Sequence, residues 1–131
     1  MFTNFGSIIT DSIIGDSKIG TLGYIQDSVI GDNCNIQNGC YIYSARIGNN
    51  VFLAPRVTIL NDKYPPSHGT SWYPVQIGDN VIIGACCTIL PKVIIESGVK
   101  IGAGQVITKD VTKSMCKDGW YVNKKCRQKD R

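Results

Sequence analysis

The chain has 131 residues, of which 43% are hydrophobic and 18% charged; this is the composition of one globular domain and excludes a disordered or collagen-like protein. No stretch approaches the roughly 20 consecutive apolar residues of a membrane helix, so we expect no membrane association and a cytoplasmic location. The net charge of +4 is concentrated in residues 109–131, which hold eight Lys or Arg against three Asp.

From the N-terminal third onward, apolar residues recur at intervals of close to six. Faint copies of the repeat stand at Ile14, Ile19 and Ile25. The register then continues, with one slip of a single residue before Ile47, through Ile30, Ile36, Ile42, Ile47, Leu53 and Ile59. The second half is regular, with Ile77, Ile83, Ile89, Ile95, Ile101 and Ile107. The position two residues before each of these is small or apolar, except at Gln105.

A period of six fits neither an amphipathic helix nor a long alternating strand. Turn-forming residues crowd the segments between the apolar pairs, as in Gly31-Asp32-Asn33 and Gly78-Asp79-Asn80. The pattern therefore predicts short strands joined by tight corners. Three hexapeptides would close one triangular coil, and the coils would stack at about 4.8 Å.

The six cysteines include no C-x-x-C pair, and His68 is the single histidine, so we expect no structural metal site. Cys34, Cys40 and Cys87 fall on the inward phase of the repeat and are predicted to pack in the core. Cys116 and Cys126 could pair, although a cytosolic setting argues against a disulfide.

The repeat is interrupted once, between Ile59 and Ile77, which predicts an extruded loop over residues 60–76. Long loops that leave a rigid scaffold are frequently functional. Groups in this loop that could hold a ligand are Asn61, Asp62, Tyr64, His68, Trp72 and Tyr73. Alternatively, the loop packs subunits together and buries its two adjacent aromatic residues, and both interpretations can hold.

The segments IGDNCNIQNGCYIY, IGDNVIIGACCTILPKVII and KIGAGQVITKDV resemble the hexapeptide-repeat acyltransferase superfamily. The resemblance implies an all-β fold: a left-handed parallel β-helix of about five coils over residues 1–112, followed by a basic C-terminal extension over 113–131. The left hand comes from the resemblance, since a six-residue period does not select one. A homotrimer is implied as well, because thin prisms gain by covering their flat sides.

Within that superfamily, V-T-I-L-N-D-K-Y-P-P-S is similar to the active-site loop of N-acetyltransferases that act on nucleotide-linked amino sugars. The resemblance implies that Asn61 holds the acceptor amine, that Asp62 supports the loop or the sugar, and that Tyr64 contacts the acceptor. Arginine frequently follows the Tyr-Pro pair in those enzymes, whereas Pro66 stands here, so the sugar itself is left open.

By the same resemblance, acetyl-CoA is the co-substrate and lies in the groove between neighbouring prisms. The matching corners are Gly84-Ala85 and Gly102-Ala103, where small side chains permit close approach of the backbone. Lys109, in the segment ITKDV, is predicted to meet the cofactor phosphates.

Two alternatives remain open. His68 could be the general base of an O-acetyltransferase acting on a sugar or serine hydroxyl, and the β-helix could be a non-catalytic trimeric scaffold. A zinc carbonic anhydrase on the same helix needs three histidines per site and is excluded. We expect no nucleic-acid partner, because aromatic residues interleave with the basic tail only at Trp120 and Tyr121.

Overall fold

A computed structural model describes residues 1–123, which form short parallel strands wound into a three-sided prism. The long strands β1 (Thr3–Thr10) and β3 (Lys18–Gln26) each span two faces. Face 1 contains the first half of β3, then β5 (Asn35–Ile36), β8 (Phe52–Leu53), β11 (Ile82–Ile83) and β14 (Lys100–Ile101). Face 2 contains the second half of β3, then β6 (Tyr41–Tyr43), β9 (Thr58–Ile59), β12 (Thr88–Ile89) and β15 (Val106–Ile107). Face 3 contains β2 (Ile13–Ile14), β4 (Val29–Ile30), β7 (Arg46–Ile47), β10 (Gln76–Ile77) and β13 (Ile94–Ile95).

The predicted left-handed parallel β-helix is confirmed, but it has six coils rather than about five. The additional coil comes from β1 at the N-terminus, which pairs with β3 through a register irregularity between Gly6 and Ile8. Because this irregularity breaks the six-residue spacing, the sequence pattern does not mark the first coil. Within residues 1–123 no helix has the length and apolarity needed to cross a membrane.

The core is a stack of isoleucines in which each coil repeats the register of the previous one. Ile77, for example, pairs with both Ile47 and Ile95 on the neighbouring coils. Every repeat position from Ile19 onward is buried. Cys34, Cys40 and Cys87 are buried as predicted, and each thiol lies 3.1 to 3.3 Å from a carbonyl oxygen of the next coil. Cys126, the second cysteine of the pair considered above with Cys116, lies outside the described residues.

Three buried polar side chains occupy core positions where the repeat usually has an apolar residue. The Ser17 hydroxyl donates to the Gly31 carbonyl at 2.7 Å and accepts from the Cys34 amide at 2.9 Å. Ser28 accepts from the Ala45 amide in the same way. Gln105, the one exception in the second half, is 5% exposed and its Oε1 accepts from the Asn123 amide. Each polar group therefore has a partner, which removes most of the cost of burying it.

A ladder of polar side chains runs along the corners between face 3 and face 1, which we call the Asp/Asn ridge. At each level a side chain accepts a hydrogen bond from the backbone amide one coil before it, at 2.7 to 2.8 Å. The accepting residues are Asp32, Asn49, Asp79 and Ser97. The Gly-Asp and Gly-Asn pairs of the sequence thus join successive coils as well as forming turns.

The corners between face 2 and face 3, which we call the loop ridge, are the irregular ones. In the first three coils they are one residue short, and Asp11, Asp27 and Ser44 turn the chain there with φ between 49° and 55°. The slip before Ile47 is one of these short corners. In the fourth coil the same ridge extrudes residues 60–75, between β9 and β10.

Adjacent isoleucines in β13 provide a matched test of the core. Ile95 is 1% exposed, whereas Ile94 points outward and is 47% exposed. Ile95→Ala should lower the free energy of unfolding by about 2 to 5 kcal/mol, because it leaves a cavity in the stack. Ile94→Ala should change it by only about 0.5 kcal/mol. Denaturant unfolding of both variants measures the difference, and equal losses would contradict the inward assignment.

Candidate active site

The extruded loop is a short hairpin whose two ends pair with each other. Asp62 and Trp72 form an antiparallel bridge, the Lys63 amide donates to the Ser71 carbonyl at 3.0 Å, and the Tyr73 amide donates to the Asn61 carbonyl at 2.7 Å. The loop therefore presents Asn61 and Asp62 from a paired backbone at its base.

The Asp62 carboxylate is the hydrogen-bonding centre of this hairpin. Its Oδ1 accepts from the Ser71 hydroxyl at 2.5 Å and from the Tyr64 amide at 3.3 Å, while Oδ2 accepts from the Ser67 amide at 2.9 Å. Partial desolvation acts to raise the pKa of Asp62, but these hydrogen bonds outweigh it and lower the pKa to about 2. Asp62 is consequently anionic at neutral pH and is a weak base.

Ser71 is the residue that the sequence reasoning missed. It is 6% exposed, its hydroxyl also accepts from the Tyr64 amide, and its own amide donates to the Ser67 hydroxyl. Ser71 lies nine positions after Asp62, and no short motif connects the two. Only the antiparallel pairing of the loop ends brings them together.

Asn61 is oriented by a chain of polar side chains along the loop ridge. Its Nδ2 donates to the Ser44 hydroxyl at 3.1 Å, and that hydroxyl donates to the Asp27 carboxylate at 3.2 Å. With Nδ2 engaged in this way, Oδ1 has no hydrogen-bond donor within residues 1–123. Asn61 therefore presents a fixed carbonyl oxygen that can accept a hydrogen bond from a ligand N–H.

The remaining loop candidates point outward. His68 is exposed with φ of 54°, and Tyr64 is 69% exposed. Trp72 and Tyr73 are 53% and 36% exposed, so neither side chain is buried within this single chain. The subunit-packing interpretation requires both side chains to be buried. That interpretation needs a second chain to cover them.

A groove of about 750 Å³ lies between the loop and the last two coils on the same ridge. Apolar side chains, among them Leu60, Tyr73 and Ile94, line much of it. Of the predicted site residues, Asp62 and Lys109 line this groove, whereas Asn61, Tyr64 and His68 do not.

The predicted cofactor corners lie on the opposite side of face 2, along the corners between face 1 and face 2, which we call the Gly84 ridge. Residues 84–86 precede β12, and the loop ridge follows it. A Cβ on Gly84 would stand 2.5 Å from the Ala103 amide nitrogen, so coil stacking alone requires glycine there. Within one chain, face 2 therefore separates these corners from the hairpin.

Across residues 1–123, no three His, Cys, Asp or Glu side chains are grouped closely enough to hold an ion.

The six-repeat model of the bacterial transferase hexapeptide family matches residues 27–61 and 74–109, more than half of the chain, and its gap coincides with the hairpin loop. The chain is 36% identical over 108 residues to the bifunctional protein GlmU of Thermodesulfovibrio yellowstonii, covering 82% of this chain and 23% of that protein. It is 40% identical over 75 residues to the galactoside O-acetyltransferase of Escherichia coli, covering 53% of this chain and 37% of that enzyme.

The chain therefore spans less than two fifths of the length of these curated relatives. Among solved structures it is similar to the H141N mutant of perosamine N-acetyltransferase from Caulobacter crescentus, in complex with CoA and GDP-perosamine. That comparison has a TM-score of 0.68 and 21% identity, and covers 83% of this chain and 50% of the other. At this identity the likeness supports the fold.

The role of Ser71 can be tested by titrating Asp62. Ser71→Ala should move the pKa of Asp62 upward from about 2 towards its ordinary value of 3.8, because the shortest hydrogen bond to the carboxylate is lost. Since the folded-state pKa is depressed, the loop stabilisation from Asp62 is present above about pH 4 and is lost as the pH falls to about 2. Carboxyl carbon shifts in an NMR pH titration measure the pKa of Asp62 in the wild-type protein and in the variant.

Thr70→Ala is the matched control, because Thr70 is an exposed loop hydroxyl that contacts Ser67 and not Asp62. It should leave the midpoint unchanged. An unchanged midpoint in Ser71→Ala would show that Ser71 does not set the ionisation of Asp62.

Proposed function

Because the chain belongs to the bacterial transferase hexapeptide family, we propose that it is an acetyltransferase that transfers acetyl from acetyl-CoA to the amino group of a nucleotide-linked amino sugar. The observation that carries the acceptor assignment is the fixed Asn61 carbonyl at the base of the hairpin. An amide oxygen accepts a hydrogen bond, and the amino group of the acceptor supplies an N–H donor for it.

The chemistry makes modest demands on the protein. The amine nitrogen attacks the thioester carbonyl carbon, a tetrahedral oxyanion forms, and the C–S bond then breaks to release the CoA thiolate. The nitrogen loses one proton, which neutralises the departing thiolate. A thioester is already activated, so positioning the amine and stabilising the oxyanion with backbone N–H groups can supply much of the rate.

Asp62 supports this reaction by holding the loop rather than by taking the proton. A carboxylate with a pKa of about 2 has little affinity for a proton near neutral pH. Its three hydrogen bonds within the hairpin fix the backbone beside Asn61. Tyr64, which is exposed next to this anchor, contacts the acceptor in our proposal.

For acetyl-CoA we propose the groove between two protomers. Lys109 lines the groove on the loop ridge, and its exposed ammonium group suits the cofactor phosphates. The small corners Gly84-Ala85 and Gly102-Ala103 come from a neighbouring protomer, because face 2 keeps them away from the hairpin within one chain.

A homotrimer fits this arrangement. The strand segments of face 2 include no charged residue, and Tyr41 and Val106 on this face are each 46% exposed. A flat uncharged surface of this kind gains by packing against another copy. The thiols of Cys34, Cys86 and Cys87 are free, which agrees with a cytoplasmic location.

O-acetylation of a sugar or serine hydroxyl is the second candidate. It is supported by the exposed imidazole of His68 in the same loop, since a hydroxyl acceptor needs a stronger base than an amine does. The similarity to galactoside O-acetyltransferase agrees with it. A non-catalytic scaffold predicts a short or absent loop, whereas residues 60–75 form a hairpin here.

A screen of acetyl-CoA against nucleotide-linked amino sugars tests the proposed activity. We expect thiol release with at least one of them, and a loss of about a hundredfold in kcat for Asn61→Ala, because the amine loses its orienting group. Asn35→Ala, at an exposed position on face 1, is the control and should be unaffected. If no CoA species raises the melting temperature or releases thiol, the acetyltransferase assignment is wrong.

The variant His68→Ala distinguishes the two acceptors. With an amine acceptor the loss of activity should be small, whereas loss of the general base of an O-acetyltransferase should lower kcat by about 100-fold or more. Initial rates on paired amino and hydroxyl sugars measure this. A near-complete loss would favour O-transfer over our proposal.

A further inference from the structure

Two lysines that line the groove between the hairpin and the last two coils have no role in the reaction described so far. Lys63 follows Asp62 in the hairpin, and Lys92 lies at the loop-ridge corner of the fifth coil, where φ is 75°. Both are exposed and both line the groove. Neither forms an ion pair with a carboxylate or donates a hydrogen bond to one within residues 1–123.

Each of these ammonium groups lies over an aromatic ring of the loop. Lys63 Nζ is 5.7 Å from the centre of the Tyr64 ring, and Lys92 Nζ is 5.2 Å from the centre of the Tyr73 ring. These ring contacts leave the positive charge of both ammonium groups in place. An exposed ring beside a free cation is suited to a ligand that combines a flat ring with a phosphate.

The carboxylates of the groove do not offset these cations by direct contact. Asp62 is engaged by Ser71, Ser67 and Tyr64. Asp110 accepts from the Ile94 amide at 2.8 Å. With both acids tied to the protein, the lysines remain available to an anion that enters from solvent.

We propose that Lys63 and Lys92 form a binding subsite for the phosphate groups of the acceptor. This inference rests on the proposed function, because it concerns the acceptor of the same reaction. Lys63 shares the hairpin with Asn61, whereas Lys109, assigned to the cofactor, lies on the last coil. The two lysines thus select a phosphorylated acceptor over a free sugar.

The test compares acceptors with and without phosphate. In Lys63→Gln and in Lys92→Gln, KM for the nucleotide-linked amino sugar should rise about fivefold, since each variant removes one charge-assisted contact. KM for acetyl-CoA and the rate with the corresponding free amino sugar should not change. Lys100→Gln is the control, because Lys100 also lies over an aromatic ring, Trp120 at 5.8 Å, but on face 1.

A binding measurement separates this inference from the proposed activity. Calorimetry with UDP and with inorganic pyrophosphate should show binding that weakens about fivefold in each of the two variants and falls with added salt. If both variants bind UDP and pyrophosphate more weakly but no acetyl transfer is detected, the phosphate subsite is upheld and the proposed acetyltransferase activity is rejected. A rise in KM for acetyl-CoA instead would assign the lysines to the cofactor, and unchanged binding and KM would overturn the inference.

Discussion

The constant register between coils is the constraint on which the rest of this structure depends. Backbone amides of one coil donate to carbonyl groups of the next coil, always one repeat position earlier, for example Gln76 to Val93 and Ile82 to Val99. A slip of one residue would turn the inward isoleucines to solvent. Since the register is kept from coil to coil, the corners also stack, and stacked corners are what create the three ridges.

The ridges differ in what they do. The Asp/Asn ridge joins successive coils through side chains that accept backbone hydrogen bonds. The Gly84 ridge is constrained by the approach of the next coil. The loop ridge also has side-chain hydrogen bonds between coils, but its corners vary in length, and the hairpin with Asn61 and Asp62 is placed there. The candidate site residues therefore lie on the ridge whose corners are least regular.

The fold could be predicted because the core residues recur every six positions. The loop could be predicted because it interrupts that spacing. The first coil could not, since the irregularity between Gly6 and Ile8 removes the period. Asn61 and Asp62 could be singled out by resemblance, but not their anchors. The contacts to Ser44 and Ser71 depend on coil stacking and on pairing of the loop ends, and neither leaves a local sequence signal.

The way the hairpin is attached has a consequence for how such proteins diversify. The strands on either side of it are held by neighbouring coils: the Leu60 amide bonds to Ile89, and the Val75 carbonyl accepts from Arg46. The insertion thus lengthens the connection between β9 and β10 but leaves the stack of coils continuous. Doubling its length would cost only about 0.6 kcal/mol of closure entropy. Segments of different sequence could be exchanged at this point while the prism beneath them stays the same.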